Sequence, residues 1–118
     1  MRKIVINIYS FHRFDLTLKA MTYLYKLNPM LFSSEVRRDP NNLVNNSNPF
    51  NLDEDSVEFR SNRDVVNTVE YFNKDFPNLR VVEVPDDVEV VLIRDDYDQT
   101  EYVAEKHRTW GKEWDWKD

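Results

Sequence analysis

Glu105, His107, Arg108 and Trp110 fall within six positions of one another in the stretch YDQTEYVAEKHRTWG near the end of the chain. The set holds parts of a hydrolytic centre. His107 can serve as a base, Glu105 can orient it when both lie on one strand face, and Arg108 can hold an anion. No nucleophile elbow and no paired-histidine metal helix accompanies them. The favoured reading is structural, with Trp110 packed on the core and His107 and Arg108 in surface hydrogen bonds. A hydrolase using His107 is the remote alternative.

Two further sets carry charge. Asp86, Asp87, Asp95, Asp96 and Asp98, joined by His107, offer hard oxygen ligands, but calcium-loop spacing is missing, so they read as turn-forming and capping residues. Neither a metal nor a cofactor is expected. His12 and Arg13 follow the first apolar run, Arg37 and Arg38 sit in an irregular region, and Arg60 and Arg63 stand at the mouth of a helix whose N-terminus favours anions. With Tyr9, Phe11 and Phe14 available to stack on a base, a nucleotide or other small anion would be held by Tyr9, His12, Arg13, Arg60, Arg63, His107 and Arg108. An interaction surface would use Asp86, Asp87, Asp95 and Asp96 with Trp110 and Trp114. Its carboxylates would imitate a phosphate track and enter a basic groove on another protein.

Composition narrows the classes. The chain has 118 residues, no cysteine, and a single glycine, Gly111. Disulfides, thiolate chemistry and glycine-rich phosphate loops are excluded, and the length suits one domain with one core. The net charge is −6, but residues 1–40 hold seven basic and three acidic groups, leaving nine and nineteen for the rest. That polarity argues against nonspecific duplex binding. The apolar run at the start is broken by Asn7, which argues against a secretory signal, and no run is long enough to span a bilayer. A soluble, cytoplasmic protein is expected.

The positioning elements follow from periodicity. KIVINI (3–8) is dense in β-branched residues and reads as a buried strand. Leu16, Ala20, Tyr23, Leu24 and Leu27 form one stripe of a helix over 17–27, capped by Asp15 or Thr17 and ended by Asn28-Pro29. Residues 33–56 are asparagine-rich without either period, and read as an irregular or partly disordered insertion. Ser61 or Asn62 caps a second helix over 63–74 carrying Val65, Val66, Val69 and Phe72. LRVVEV (79–84) and 88–93 read as strands that could pair through the Pro85-Asp86-Asp87 turn. The last element, 98–111, fits a strand slightly better than a capped helix, and the tail 112–118 should fray.

Taken in order, KIVIN, then Arg60, Asn62, Asp64, Val65, Val66, Val69 and Glu70, then LRVVEVPDDVE and YDQTEYVAEKHRTW, resemble a small uncharacterised protein family common in phage genomes. The likeness spans most of the chain outside 29–59. Members carry a glycine-rich segment after the first strand, a proline opening the second helix and a glycine after the YD pair. This chain has Tyr9 to Leu16 without glycine, Arg63, and Gln99 in those places. The resemblance implies a phage or large-virus accessory protein and brings no activity with it.

The expected fold is α+β: a mostly antiparallel sheet of three or four strands with two helices on one face. Its core would comprise Ile4, Ile6, Leu16, Leu24, Leu27, Val66, Val69, Phe72, Val82, Val84, Val90 and Leu92. The expected function is non-enzymatic binding to a host macromolecule, a host protein in the first instance, with sequestration of a small anionic ligand as the alternative.

Overall fold

The structure is a computed structural model and describes residues 1–45 and 48–106. The chain is α+β. Strand β1 (Arg2–Asn7) pairs antiparallel with β2 (Leu79–Val84), from Arg2 opposite Val84 to Asn7 opposite Leu79. Strands β3 (Val90–Arg94) and β4 (Glu101–Glu105) form a second antiparallel pair, from Val90 opposite Glu105 to Arg94 opposite Glu101. The single sheet of three or four strands is thus replaced by two ribbons, and β2 pairs with β1 instead of forming a hairpin with β3. Within the 98–111 element, residues 101–105 form a strand, and residues 107–118 lie outside the described residues.

Both long helices arise where their caps predict. Thr17 opens α1 (Leu18–Leu27): its hydroxyl accepts the Ala20 N–H at 3.2 Å, and Ala20 and Leu24 face inward. The Asn62 side-chain oxygen caps α5 (Arg63–Tyr71) by accepting from Asp64 and Val65, and Val65, Val66 and Val69 are buried. Such a cap is worth about 1 kcal/mol. The two helices pack on each other, and Asn28 donates to the Asp64 carboxylate across the seam.

The asparagine-rich insertion has more structure than its composition suggests. It contains α2 (Ser34–Arg38) and α3 (Asn42–Asn45), and an isolated bridge ties Phe32 to Phe50. The reason is aromatic. Phe32, Phe50, Phe59 and Phe14 follow one another ring against ring, with centroids 5.1, 4.7 and 6.0 Å apart, and all are buried. Burying each ring contributes roughly 1.5–3 kcal/mol, which offsets part of the cost of ordering a polar segment. Val36 and Leu43 join the same core.

That core departs from the expected list. Ile4, Ile6, Leu16, Leu24, Val66 and Val69 are buried, whereas Leu27 is 44% exposed and Val82, Val84, Val90 and Leu92 are only half-buried. Two-stranded ribbons leave more of each face open than a wider sheet would.

Candidate interaction site and its buried support

A four-residue helix, α4 (Val57–Arg60), ends on the most buried charge among the described residues. Ser56 caps it by accepting the Phe59 N–H at 3.2 Å, and its last residue, Arg60, is fully buried. All five guanidinium N–H groups are used. Nε donates to the Glu54 carbonyl at 2.6 Å, Nη1 to Glu101 Oε1 at 2.6 Å and the Val5 carbonyl at 3.2 Å, and Nη2 to Glu101 Oε2 and Asp55 Oδ1, each at 3.0 Å. The guanidinium carbon also lies 4.0 Å from the centre of the Phe14 ring. Arg94 completes a neutral quartet through Asp55 and Glu101. Burial works against ionisation of Glu101, but the hydrogen bonds and charge of Arg60, the Asn7 N–H and Arg94 outweigh it and hold the carboxyl below its ordinary range.

This pair also accounts for the narrow sheet. Ile8 N–H bonds the Asn78 carbonyl across from it, so the alternation of antiparallel pairing turns the peptide groups of Val5 and Asn7 toward the other edge of β1. There the Asn7 N–H donates to Glu101 at 2.8 Å and the Val5 carbonyl accepts from Arg60. A carboxylate and a guanidinium thus satisfy the groups that a third strand would have satisfied. The second ribbon meets β1 through side chains, including Arg2 to the Val88 carbonyl at 2.9 Å.

The buried Asn7 side chain then fixes the surface beyond. Its amide donates to the carbonyls of Tyr9, His12 and Gln99 at 3.2, 2.7 and 3.0 Å, and its oxygen accepts from Asn78. The 9–13 loop is thereby docked on the 95–100 turn, where the Phe11 N–H reaches the Asp98 carbonyl at 2.6 Å and Ser10 the Asp98 carboxylate. Hydrogen bonds from Thr100 and Ser10 hold the Asp98 carboxyl below its ordinary range. Phe11 and Gln99 take φ of 63° and 69°, a region that costs a non-glycine residue about 1–2 kcal/mol. The result is a tip on which Phe11 and Tyr97, 70% and 82% exposed, meet edge to face at 5.5 Å. Tyr9 and His12 form a second such pair at 5.7 Å, and Asp95 and Asp96 are exposed beside Tyr97.

The residues proposed from sequence are therefore dispersed. Tyr9, His12 and Arg13 share the tip loop, but Arg60 lies beneath it with no N–H left for a ligand. Arg13 borders a pit of about 90 Å³ with Phe14, Glu54, Asp55, Arg94 and Gln99. Arg63 instead lines a cleft of about 410 Å³ with Arg2, Lys3, Asn67 and Asp86. Asp86 and Asp87 sit in the β2–β3 link, apart in sequence from Asp95 and Asp96 in the β3–β4 turn. His107, Arg108, Trp110 and Trp114 lie outside the described residues. Asn7, Asp55, Arg94 and Glu101 were not singled out from sequence, because a buried pair joining residues 41 positions apart has no local spacing. The one available sign was Asn7 interrupting an apolar run.

Among the described residues no three His, Asp or Glu side chains are grouped to hold a metal, and no helix is long and apolar enough to cross a membrane. Comparison of the chain with protein-family models, curated proteins and solved structures gives no match.

Proposed function

We propose that this chain is a phage-like viral accessory protein that works without catalysis, in the cytoplasm of the host cell, by binding a host macromolecule through the 9–13 and 95–99 tip. The observation that carries this reading is the Phe11–Tyr97 pair: two large aromatic rings held out to solvent on a backbone fixed from below by Asn7. Exposed aromatic side chains on rigid supports are the usual anchors of interfaces, because little entropy is lost on docking. Asp95 and Asp96 beside Tyr97 suit a basic counterpart, whose cations would also be drawn to the ring faces. The charge asymmetry and the family resemblance agree with it.

The test is a pull-down from host lysate under graded salt, comparing the native chain with Tyr97→Ala and Phe11→Ala. Salt-sensitive partners retained by the native protein and lost by both variants are the expected result. An identical set of bound proteins would remove the tip from the proposal. Sequestration of a small anion is the second reading, supported by the cleft that Arg2, Lys3 and Arg63 line together with Asp86, where Lys3 is paired with Glu70, Arg2 donates to the Val88 carbonyl, and Arg63 has no carboxylate partner among the described residues. Thermal-shift screening separates the two, since a ligand at about a hundred times its dissociation constant adds roughly 2.7 kcal/mol.

A further inference from the structure

Away from the tip, α1 and the end of α5 leave an aromatic face uncovered. Leu18, Lys19, Thr22, Tyr23 and Lys26 lie at i, i+1, i+4, i+5 and i+8, on the side of α1 opposite the buried Ala20 and Leu24. With Tyr71 and Phe72 they line an open groove of about 750 Å³. Tyr23 and Tyr71 stack with centroids 4.7 Å apart and planes 5° from parallel, and Phe72 meets both edge-on. Leu18 is 49% and Tyr71 66% exposed. The apolar surface is continuous and pre-formed.

Charge indicates what covers it. Lys19 lies 5.6 Å from the Phe72 ring centre, and neither Lys19 nor Lys26 has a carboxylate partner among the described residues. On a chain of net charge −6, two unneutralised lysines flanking an aromatic face form a local site of opposite sign. A nucleic acid is the poorer match, because a phosphate backbone needs many cations and is repelled by the rest of the molecule. An acidic polypeptide needs only the two. We propose that the groove between α1 and α5 seats an acidic peptide segment of a partner protein, an apolar side chain resting on Tyr71 and carboxylates meeting Lys19 and Lys26. This is a second contact, sharing no residue with the tip and independent of it.

Selection of a random dodecapeptide display library on the immobilised full chain tests the assignment. Enriched peptides should combine Asp or Glu with an aromatic or leucine. Their affinity should fall by about tenfold or more for Lys19→Glu/Lys26→Glu and, separately, for Tyr71→Ala. These are surface positions, and an unchanged melting transition establishes that each variant is folded. Tyr97→Ala should leave peptide binding unaltered, so that failure of the tip and failure of the groove are told apart. The proposal is overturned by peptides lacking acidic residues, by peptides bound equally by the variants, or by no enrichment. Fluorescein-labelled oligothymidylate that binds tighter than the selected peptides and is lost in the same variants would overturn it in favour of single-stranded nucleic acid.

Discussion

Arg60 decides more than any other single residue. Removing one member of a buried, hydrogen-bonded ion pair leaves the other desolvated and unpaired, so Arg60→Met should cost about 3–5 kcal/mol. The double variant Arg60→Met/Glu101→Leu should cost clearly less than the sum of the single changes, because no orphan charge remains. Chemical denaturation of the three proteins measures this coupling, and strict additivity would show that the pair is not a unit. Glu101 also sets a pH dependence. Its folded pKa is lowered, so its contribution is complete above the unfolded value near 4.5 and is lost as the pH falls through the folded one. Glu54 has the opposite sign: burial, then Asp55 and Asp15, raise its pKa, so acidification favours its folded form. Glu101→Gln should therefore flatten the acid limb of the stability curve below about pH 4.5, with the slope near neutrality unaltered. An unchanged acid slope, measured by denaturation at stepped pH, would contradict this. Arg60 was legible in the sequence as a charge near a helix start, but not as buried, because its partners come from β1, the 53–55 segment and β4.

At the scale of elements, the capped helices were the most readable. Thr17 and Asn62 stand one residue before their helices, and side chains that bond the backbone locally work in any tertiary setting. Asn62→Ala should lower stability by about 1 kcal/mol through the lost cap of α5, as read by thermal denaturation. The strands were readable as strands but not in their pairing. LRVVEV and the segment after Pro85 are adjacent, which favoured a hairpin, yet β2 takes β1 instead and the Asp95–Thr100 turn makes the hairpin that exists. Here Gln99 occupies a left-handed conformation in which glycine pays no steric cost. Gln99→Gly should leave stability unchanged or raise it by up to about 1 kcal/mol, the relief of strain being partly offset by unfolded-state entropy. A loss of several kcal/mol would mean that the Gln99 side chain carries the turn.

For the whole molecule, the consequence is coupling between two ribbons that share no ladder hydrogen bonds. The Asn7 side chain bonds the 9–13 loop, Gln99 and Asn78 together, and its backbone N–H donates to the Glu101 carboxylate. Asn7→Ala removes the side-chain bonds but keeps the backbone N–H that meets Glu101, so it should release the tip while the second ribbon stays tied to Arg60 and the helical core is spared. Hydrogen exchange should then quicken over 9–13 and 95–100 with β4 and α5 still protected. Equal acceleration everywhere would show that Asn7 supports global stability alone. The same arrangement separates an acidic, aromatic tip from a lysine-flanked aromatic groove, which gives one small chain two surfaces of opposite character.

By itself the sequence determined what short-range physics can determine. Hydrophobic period, caps and proline stops placed α1, α5 and the first three strands to within a few residues and left the last element between strand and helix, and the composition removed thiol and glycine-loop chemistry. The tertiary structure decided the rest. Which strands pair, whether an asparagine-rich excursion is ordered by four phenylalanines, and whether an arginine faces a ligand or a buried glutamate all depend on contacts between distant positions. Such contacts leave no periodic trace in the chain, because each is specified only by the packing of the others.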